Sequence, residues 1–389
     1  MTAPRQVLFL SFAVVLGCGD APGDRQSVGT AAMAVERVEN TGDDSASTWR
    51  LTPVWTVGGS DTGALSFTAV SPGLVGATRD GHVYVLDRAA NRVVVLDSSG
   101  RPVRTLGRKG RGPGEFEFPS EMSVSSDGSV AVIDLAKLGA VSFAPNGDVL
   151  PIRTIPRIPI PNGSMRFAGD SVIYDFRTMD GDQQNGEWRL GIIIMRPADT
   201  AVVANVPFPV REPRIVNYGC FADAGQWPLF APRFRWAFSS GRLAYTEGGA
   251  YQVTVLEPKA QRTITRAVSP IASEPRMVAR AFPNGQTINT ANGPCLVAPD
   301  KLREQLGMEP TLPHIAAIAV DPSGTLWVER WRFPDEAPRT DLFDVAGRYL
   351  GTLREWGAPV AFFDSTRALF AVVDEATDAR RLQLVHITR

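Results

Sequence analysis

A short β-rich pattern occurs twice in this chain and limits the folds open to it more than any other segment does. Residues 80–87 read Asp-Gly-His-Val-Tyr-Val-Leu-Asp, and 47 residues later residues 127–134 read Asp-Gly-Ser-Val-Ala-Val-Ile-Asp. In both copies an Asp-Gly turn leads into one apolar strand, and a second strand and a Gly-containing turn follow. A period of about 40 to 50 residues with several strands in each period is typical of a radially repeated β architecture.

Four further copies follow the first two with more divergence. They begin at Gly169, Gly241, Gly324 and Thr366, which makes six copies in the chain. A four-stranded sheet cannot bury both of its faces alone, but sheets stacked around a common axis bury them against their neighbours. The six copies therefore predict an all-β fold, a six-bladed β-propeller, within residues 48–389.

The two ends of this body predict how the ring closes. Only three residues follow His386, so the sixth copy lacks an outermost strand. Residues 49–57 have no partner of their own, and they end in an apolar residue that Gly58 follows, like the outer strand at 103–107. We expect this N-terminal strand to pair into the last blade, because that removes two exposed sheet edges at once.

The spacing of the copies predicts two insertions on one face of the ring. The copies start 47, 41, 72, 83 and 42 residues apart, whereas a plain blade needs about 40 to 45. The surplus falls at 207–233, which is rich in aromatic residues and Pro, and at 267–313, which carries helix-start signals near residues 273–276 and 299–306. Links between successive blades emerge on a single face, so both insertions and the loop 107–119 should crowd that face.

The N-terminus has the pattern of an export signal. Arg5 precedes an apolar run, Val7–Gly17, that is too short to span a bilayer as a helix. The run ends in Val15-Leu16-Gly17-Cys18, which resembles a bacterial lipobox. That resemblance implies removal of residues 1–17 and acylation of Cys18, and two or more acyl chains make a stable membrane anchor. An ordinary signal peptide with an incidental cysteine is the alternative.

The residues after the lipobox predict a linker. Residues 18–47 contain no aromatic residue and are rich in Gly, Ala, Ser and Asp, so we expect a flexible tether. Position 19 is Gly rather than Asp. By resemblance to lipoprotein sorting in enterobacteria, this favours the outer membrane over the inner one.

One stretch carries a family resemblance. Residues 106–128 contain a Gly-rich exit from a strand, the loop Gly112-Pro113-Gly114-Glu115-Phe116, then Pro119 and an Asp-Gly turn. This order resembles the NHL-repeat signature, and the body as a whole is similar to six-bladed propeller lipoproteins of Gram-negative bacteria. The resemblance implies a lipid-anchored, periplasm-facing protein of the cell envelope. It implies no particular activity, since propellers serve as binding modules, scaffolds and enzymes alike.

Each insertion holds one cysteine, Cys220 in the first and Cys295 in the second. With Cys18 acylated, these two are the remaining thiols. An even pair in adjacent loops of an exported protein predicts a disulfide. Two separate buried thiols are the alternative.

Composition excludes several classes of function. The chain has 40 Lys and Arg against 41 Asp and Glu, so it has no excess positive charge with which to attract nucleic acid. Only 3 His and 3 Cys are present, which argues against a Cys/His zinc module. No nucleophile elbow, zinc-protease helix, P-loop or dinucleotide fingerprint occurs. We expect a monomer without a cofactor.

The candidate binding residues are basic or aromatic and are predicted to lie on the inserted side. They are Arg108, Lys109, Arg111, Tyr218, Trp227, Arg233, Arg235 and His314. Glu115 and Glu117 follow the three basic loop residues closely, so a solvated loop is the alternative there. For His314, which precedes the inner strand of blade five, the alternative to a ligand or base is a hydrogen bond at a strand end.

The predicted function is a membrane-tethered ligand- or protein-binding or scaffold propeller of the cell envelope, without catalysis. Tyr, Trp, Phe and Arg are the residues that anchor interfaces, so a small-molecule or protein partner should meet the inserted side. The alternative is a metal-dependent hydrolase or lactonase similar to gluconolactonase-type propellers. Those hold a cation, calcium here, through acidic groups at the channel mouth, and the inner strands of this chain are poor in acids.

Overall fold

The computed structural model describes residues 34–389 except 60–64, 66, 68, 155–160, 169–170, 181–186, 197–198, 208–213, 221, 259, 291–292 and 375–378. Residues 34–389 form one compact unit. The signal at 1–17 and the acylation site at Cys18 lie outside the described residues. In the part that is described, no helix is long and apolar enough to cross a membrane.

Strands dominate, and two short helices interrupt them. The strands are β1 (Ala34–Asn40), β2 (Arg50–Gly58), β3 (Val75–Ala77), β4 (Val83–Asp87), β5 (Arg92–Leu96), β6 (Pro102–Leu106), β7 (Pro119–Val124), β8 (Val130–Asp134), β9 (Gly139–Phe143), β10 (Val149–Thr154), β11 (Pro161–Ala168), β12 (Ser171–Asp180), β13 (Glu187–Met195), β14 (Thr200–Pro207), β15 (Arg214–Asn217), β16 (Ala222–Gln226), β17 (Arg235–Ser239), β18 (Arg242–Thr246), β19 (Gln252–Glu257), β20 (Ala260–Arg266), β21 (Gln286–Thr290), β22 (Gly293–Val297), β23 (Ile315–Val320), β24 (Leu326–Arg330), β25 (Arg339–Phe343), β26 (Tyr349–Arg354), β27 (Ala361–Phe362), β28 (Arg367–Val373) and β29 (Arg380–Thr388). The helices are α1 (Pro275–Ala281) and α2 (Pro299–Leu306).

These strands form a six-bladed β-propeller, as the repeat predicts. Five blades are consecutive in sequence and run from inner to outer strand as β3–β6, β7–β10, β11–β14, β17–β20 and β23–β26. Blade six consists of β27, β28 and β29 with β2 as its outermost strand. Antiparallel pairing of β2 with β29, from Arg50 opposite Thr388 to Gly58 opposite Arg381, confirms closure by the N-terminal strand.

The blades are held together by apolar side chains on both faces of their middle strands. In β5, Val93 to Leu96 are each no more than 1% exposed, because one face packs toward blade two and the other toward blade six. Trp327 of blade five is fully buried against Phe370 of blade six. Burying a large apolar side chain contributes roughly 1.5–3 kcal/mol, so these runs account for the stacking.

Strand direction gives the ring two distinct faces. Where the structure describes them, the inner strands begin after a link from the preceding blade and end at a tight turn into the second strand. We call the side of the links the inserted face and the side of the tight turns the turn face. The turn face includes residues 125–129 of blade two and 321–325 of blade five.

Residues 34–47, expected to be part of a flexible tether, are instead attached to the ring; we call them the N-terminal strap. β1 pairs in parallel with β20 and gives blade four a fifth strand. Beyond it, the Ser47 amide donates a hydrogen bond of 3.0 Å to the carbonyl oxygen of Thr352 in blade five, and Asp44 forms ion pairs with Arg266 and Arg330. Composition does not reveal this attachment, because edge hydrogen bonds and ion pairs rather than apolar burial hold the strap.

The two insertions fold together into one small unit, which we call the cap. It contains the hairpins β15–β16 and β21–β22 and the helices α1 and α2, so the insertions are partly helical as expected. Its apolar core combines Val216 of the first insertion with Val278, Leu302 and Leu306 of the second. Phe333, in the turn between β24 and β25, joins this core and attaches the cap to blade five.

Candidate functional site

The cap is crosslinked. A disulfide joins Cys220 of the first insertion to Cys295 of the second, as predicted, across a separation of 75 residues. Cys295 is buried in the cap core, whereas Cys220 is exposed. The bond holds the hairpin β15–β16 against the rest of the cap.

The positive charge of the basic loop after blade one is largely neutralised by acidic residues of the same loop. Arg108 forms an ion pair of 2.8 Å with Glu115, and Arg111 forms one of 2.6 Å with Glu117. A hydrogen bond from the Gly112 amide and the Arg108 charge lower the pKa of Glu115. Lys109 is exposed and has no partner among the described side chains. These contacts favour the interpretation as a solvated loop over that as an anion-binding site.

The aromatic candidates belong to the cap. Tyr218 is partly buried and packs against the cap core. Trp227 is also partly buried, just before the turn that carries Leu229 and Phe230 into the same core. Neither lines either of the two cavities described below. Both residues therefore support the packing of the first insertion.

Arg233 and Arg235 lie at the inserted-face end of the inner strand of blade four. Arg235 Nε donates a hydrogen bond of 3.0 Å to the carbonyl oxygen of Ala316, which links blade four to blade five. Burial lowers the pKa of both guanidinium groups, and in Arg235 the Arg233 charge adds to this while Asp175 opposes it. Neither forms an ion pair with a described carboxylate. The pair is a concentration of positive charge at one end of the channel.

The channel of the ring holds a cavity of about 800 Å³. Every blade contributes to its wall, with Val75, Val124, Arg166, Trp236, Ile318 and Phe362 in order from blade one to blade six. The cavity reaches the turn face, because Arg79, Asp127 and Ser240 in the tight turns also line it. Its wall therefore combines apolar side chains of the inner strands with polar groups where it meets the turn face.

One ion pair interrupts the apolar wall. Arg166 Nη1 lies 3.3 Å from Glu121 Oε2 and donates a hydrogen bond of 2.8 Å to the carbonyl of Met165. The Arg166 guanidinium lies over the ring of Trp236, 5.9 Å from its centroid. Burial raises the pKa of Glu121, and the Arg166 charge opposes that effect. The indole Nε1 of Trp236 is buried and has no hydrogen-bond partner among the described groups.

A second cavity, the lateral pocket, has a volume of about 370 Å³ and lies between the second insertion and blade five. Its wall includes Val268, Leu312, His314, Trp331, Arg332 and Arg339. Nδ1 of His314 lies 2.7 Å from the carbonyl oxygen of Gly249, and Nε2 lies 3.3 Å from that of Val268. Both ring nitrogens face backbone carbonyls, so His314 joins blade four to blade five and agrees with the strand-end alternative.

The predicted binding residues are therefore not gathered into one site. They lie in the loop 107–119, the cap, the end of β17 and the lateral pocket. Sequence reasoning missed the pocket residues Arg166, Trp236, Arg332 and Arg339. The sequence contains a signal for Arg332 and Arg339. The link between β24 and β25, residues 331–338, contains Trp-Arg-Phe and ends directly before Arg339. It is longer than the same link in blade one, residues 88–91.

The acids that recur with the blades serve the fold. Asp134 accepts hydrogen bonds from the amides of Glu117 and Lys137. The first bond fixes the end of the loop 107–119, and the second stabilises the turn between β8 and β9. Glu329 accepts a hydrogen bond of 2.8 Å from the amide of Ala358 in the next blade. Within the described residues, no group of three or more His, Cys, Asp or Glu side chains is placed to hold a metal ion.

Comparison with known proteins supports the fold. Residues 67–188 match a family described as a six-bladed β-propeller, DUF5128. No curated protein shows significant similarity to the sequence.

Solved structures that resemble this chain are also distant in sequence. A Bacteroides fragilis protein described as exported is 13% identical over 92% of this chain and 100% of its own, with a TM-score of 0.50. A DUF4221 family member from Bacteroides vulgatus is 8% identical over 89% and 98%, with a TM-score of 0.53. A gluconolactonase from Xanthomonas campestris is 12% identical over 89% and 98%, with a TM-score of 0.41. At these identities the likeness concerns the fold alone.

Proposed function

We propose that this protein is a binding propeller whose central channel takes a small, largely apolar molecule. The observation that carries the proposal is the cavity of about 800 Å³ walled by all six blades. Ligand sites are typically concave, mainly apolar, about 300–1,000 Å³ in volume, and carry a few polar groups that orient the ligand. The channel cavity has such a volume, and its wall combines apolar side chains with polar groups.

The wall indicates the chemistry of the ligand. Val124, Ile318 and Phe362 offer apolar surface, and removing apolar surface from water contributes about 25 cal/mol per Å². The Arg166 charge is offset by Glu121, so this part of the wall does not demand a ligand of opposite charge. A neutral ligand with one hydrogen-bonding group fits best, and the channel's opening toward Arg79 and Asp127 provides its route from the turn face.

The same proposal places the protein in the cell envelope. The lipobox-like residues 15–18 support anchoring through Cys18, and the Cys220–Cys295 disulfide is suited to an oxidising compartment. We expect mass spectrometry of the N-terminal peptide from native membranes to find an acylated Cys18, and a Cys18→Ala chain to lose the acyl mass. An intact signal or an unmodified Cys18 in the mature protein would refute the anchor. A protein partner at the inserted face stays a prediction.

Ligand binding in the channel is tested with N-phenyl-1-naphthylamine, an uncharged apolar fluorophore. Residues 34–389 are exported through an unrelated signal so that the disulfide forms, and the probe is titrated while its emission is measured. We expect saturable binding. Ser126→Trp places a large ring at an exposed position of the cavity rim and should weaken binding about tenfold or more, which corresponds to roughly 1.4 kcal/mol.

The matched control is Ser99→Trp, an exposed turn residue of blade one that does not line the cavity. It should bind the probe like the unchanged protein. The channel proposal fails if no saturable binding is seen, or if Ser126→Trp and Ser99→Trp bind equally well. Circular dichroism melts of all three proteins show that the comparison is made on folded chains.

A further inference from the structure

We propose that the lateral pocket is a second binding site, selective for a small organic anion with an apolar body. This inference is independent of the channel, because the pocket lies between the second insertion and blade five and shares no lining residue with the channel cavity. Three segments build it: residues 268–271, residues 312–314, and residues 330–339, which are the long turn of blade five with one strand residue at each end. Its volume of about 370 Å³ lies toward the small end of ligand sites.

Positive charge exceeds negative charge on the pocket wall. Arg330, Arg332 and Arg339 line it, and Glu336 is the one carboxylate among the lining residues. Arg330 is neutralised by Asp44 and Asp341. Glu336 shares Arg280 of α1 with Asp335, which does not line the pocket, and each carboxylate lies 2.9 Å from the guanidinium. Two charges on the wall, those of Arg332 and Arg339, therefore have no ion-pair partner among the described side chains.

The guanidinium of Arg332 is fixed by two backbone carbonyls, and some of its donors have no acceptor among the described groups. Its Nη1 donates to the carbonyl oxygens of Phe333 and Glu336, at 3.3 and 2.6 Å. Its Nε is buried without a partner among the described groups, and no hydrogen bond from Nη2 to a described group exists. A guanidinium fixed by two carbonyls loses little further freedom on binding, and it presents donors suited to a carboxylate or phosphate.

The remaining wall favours an apolar or aromatic body behind the acid group. Val268, Leu312 and Trp331 line the pocket, and Ile271 beside them is 57% exposed. A Trp next to an Arg provides both a stacking surface and a charge. We infer that the ligand class is a small aromatic or branched carboxylate rather than inorganic phosphate.

The test uses 4-fluorobenzoate and its neutral counterpart 4-fluorobenzamide, observed by fluorine NMR line broadening with residues 34–389. We expect 4-fluorobenzoate to bind saturably at millimolar concentration and 4-fluorobenzamide to bind at least about tenfold more weakly, the factor expected from losing one charge-assisted hydrogen bond. Arg339→Gln should weaken benzoate binding by a similar factor. Ala337→Trp, at an exposed position of the pocket wall, should abolish it.

Two controls separate this site from the channel. Arg88→Gln removes an exposed arginine of blade one that lines neither cavity, and it should leave benzoate binding unchanged. Ser126→Trp should also leave it unchanged, and Ala337→Trp should retain the naphthylamine binding of the channel. Equal binding of benzoate and benzamide, or benzoate binding that survives Ala337→Trp, would overturn the proposal whatever the channel does.

Discussion

Asp341 of blade five accepts a hydrogen bond of 3.0 Å from Nη1 of Arg266 of blade four, and both side chains are almost completely buried. The same carboxylate also accepts from Arg330 and from the hydroxyl of Tyr251. Asp44 of the N-terminal strap binds the other side of Arg266 and Arg330. One buried carboxylate thus connects two blades and the strap.

Removing that carboxylate should destabilise the ring. In Asp341→Asn the side chain keeps its size, but Arg266 loses its buried counter-charge, which typically costs about 3–5 kcal/mol. Urea unfolding followed by tryptophan fluorescence measures the change. Asp344→Asn is the control, because Asp344 pairs with the exposed Arg348 in a surface turn and an exposed pair is worth at most about 1 kcal/mol. Equal losses in the two variants would contradict the role given to Asp341.

The strap should loosen in acid. The hydrogen bond from Arg330 lowers the pKa of Asp44 below its ordinary 3.8, although partial burial opposes this. The ionised form therefore stabilises the folded state above that value, and the contribution is lost as pH falls through the lower folded pKa. Hydrogen-exchange protection factors of β1 should drop in that range. In Asp44→Asn they should be low already at neutral pH, and an unchanged acid step in that variant would exclude Asp44 as the cause.

The disulfide should stabilise the cap more than the ring. It closes a separation of 75 residues, for which the chain-entropy account gives about 4 kcal/mol. Cys220→Ser removes the bond at an exposed position. We expect faster trypsin cleavage at Arg276 and Lys301 of the cap, while the blades stay resistant. Equal cleavage rates with and without the bond would show that the cap core alone suffices.

Substitutions at two glycines allow the cost of backbone strain to be measured separately from the cost of steric overlap. Gly107 and Gly241 both have a positive φ, +72° and +78°, but a Cβ on Gly107 would overlap the buried ring of Phe116, whereas one on Gly241 meets nothing within 4 Å. Gly241→Ala should cost about 1–2 kcal/mol from strain alone. Gly107→Ala should cost about 1–3 kcal/mol more from overpacking. Denaturation midpoints of the two variants test this, and equal midpoints would contradict it.

Much of the ring was predictable from sequence because its signals are local. The Asp-Gly turns and apolar runs at 80–87 and 127–134 mark β4 and β8 directly, and the shortage of residues after His386 predicts closure by β2. The helices were predictable from Pro275 and Pro299 near their first turns. Apart from the closure, each of these features depends on neighbours in the sequence.

The strap and the pockets depend instead on partners far apart in the chain. Asp44 pairs with Arg266 and Arg330, 222 and 286 residues away, so its local composition resembles a tether. The channel wall takes side chains from six different blades. Strand alternation alone does not tell which inner-strand residue faces the axis, which is why Arg166 and Trp236 were missed.

The most direct measurement is a crystal structure of residues 34–389 grown with a brominated N-phenyl-1-naphthylamine. The bromine position is then read from anomalous scattering. We expect bromine density inside the ring, within contact of Trp236, Ile318 or Phe362, and none there in the Ser126→Trp protein. Ordered bromine only outside the channel, with the unchanged cavity empty at a saturating probe concentration, would contradict it.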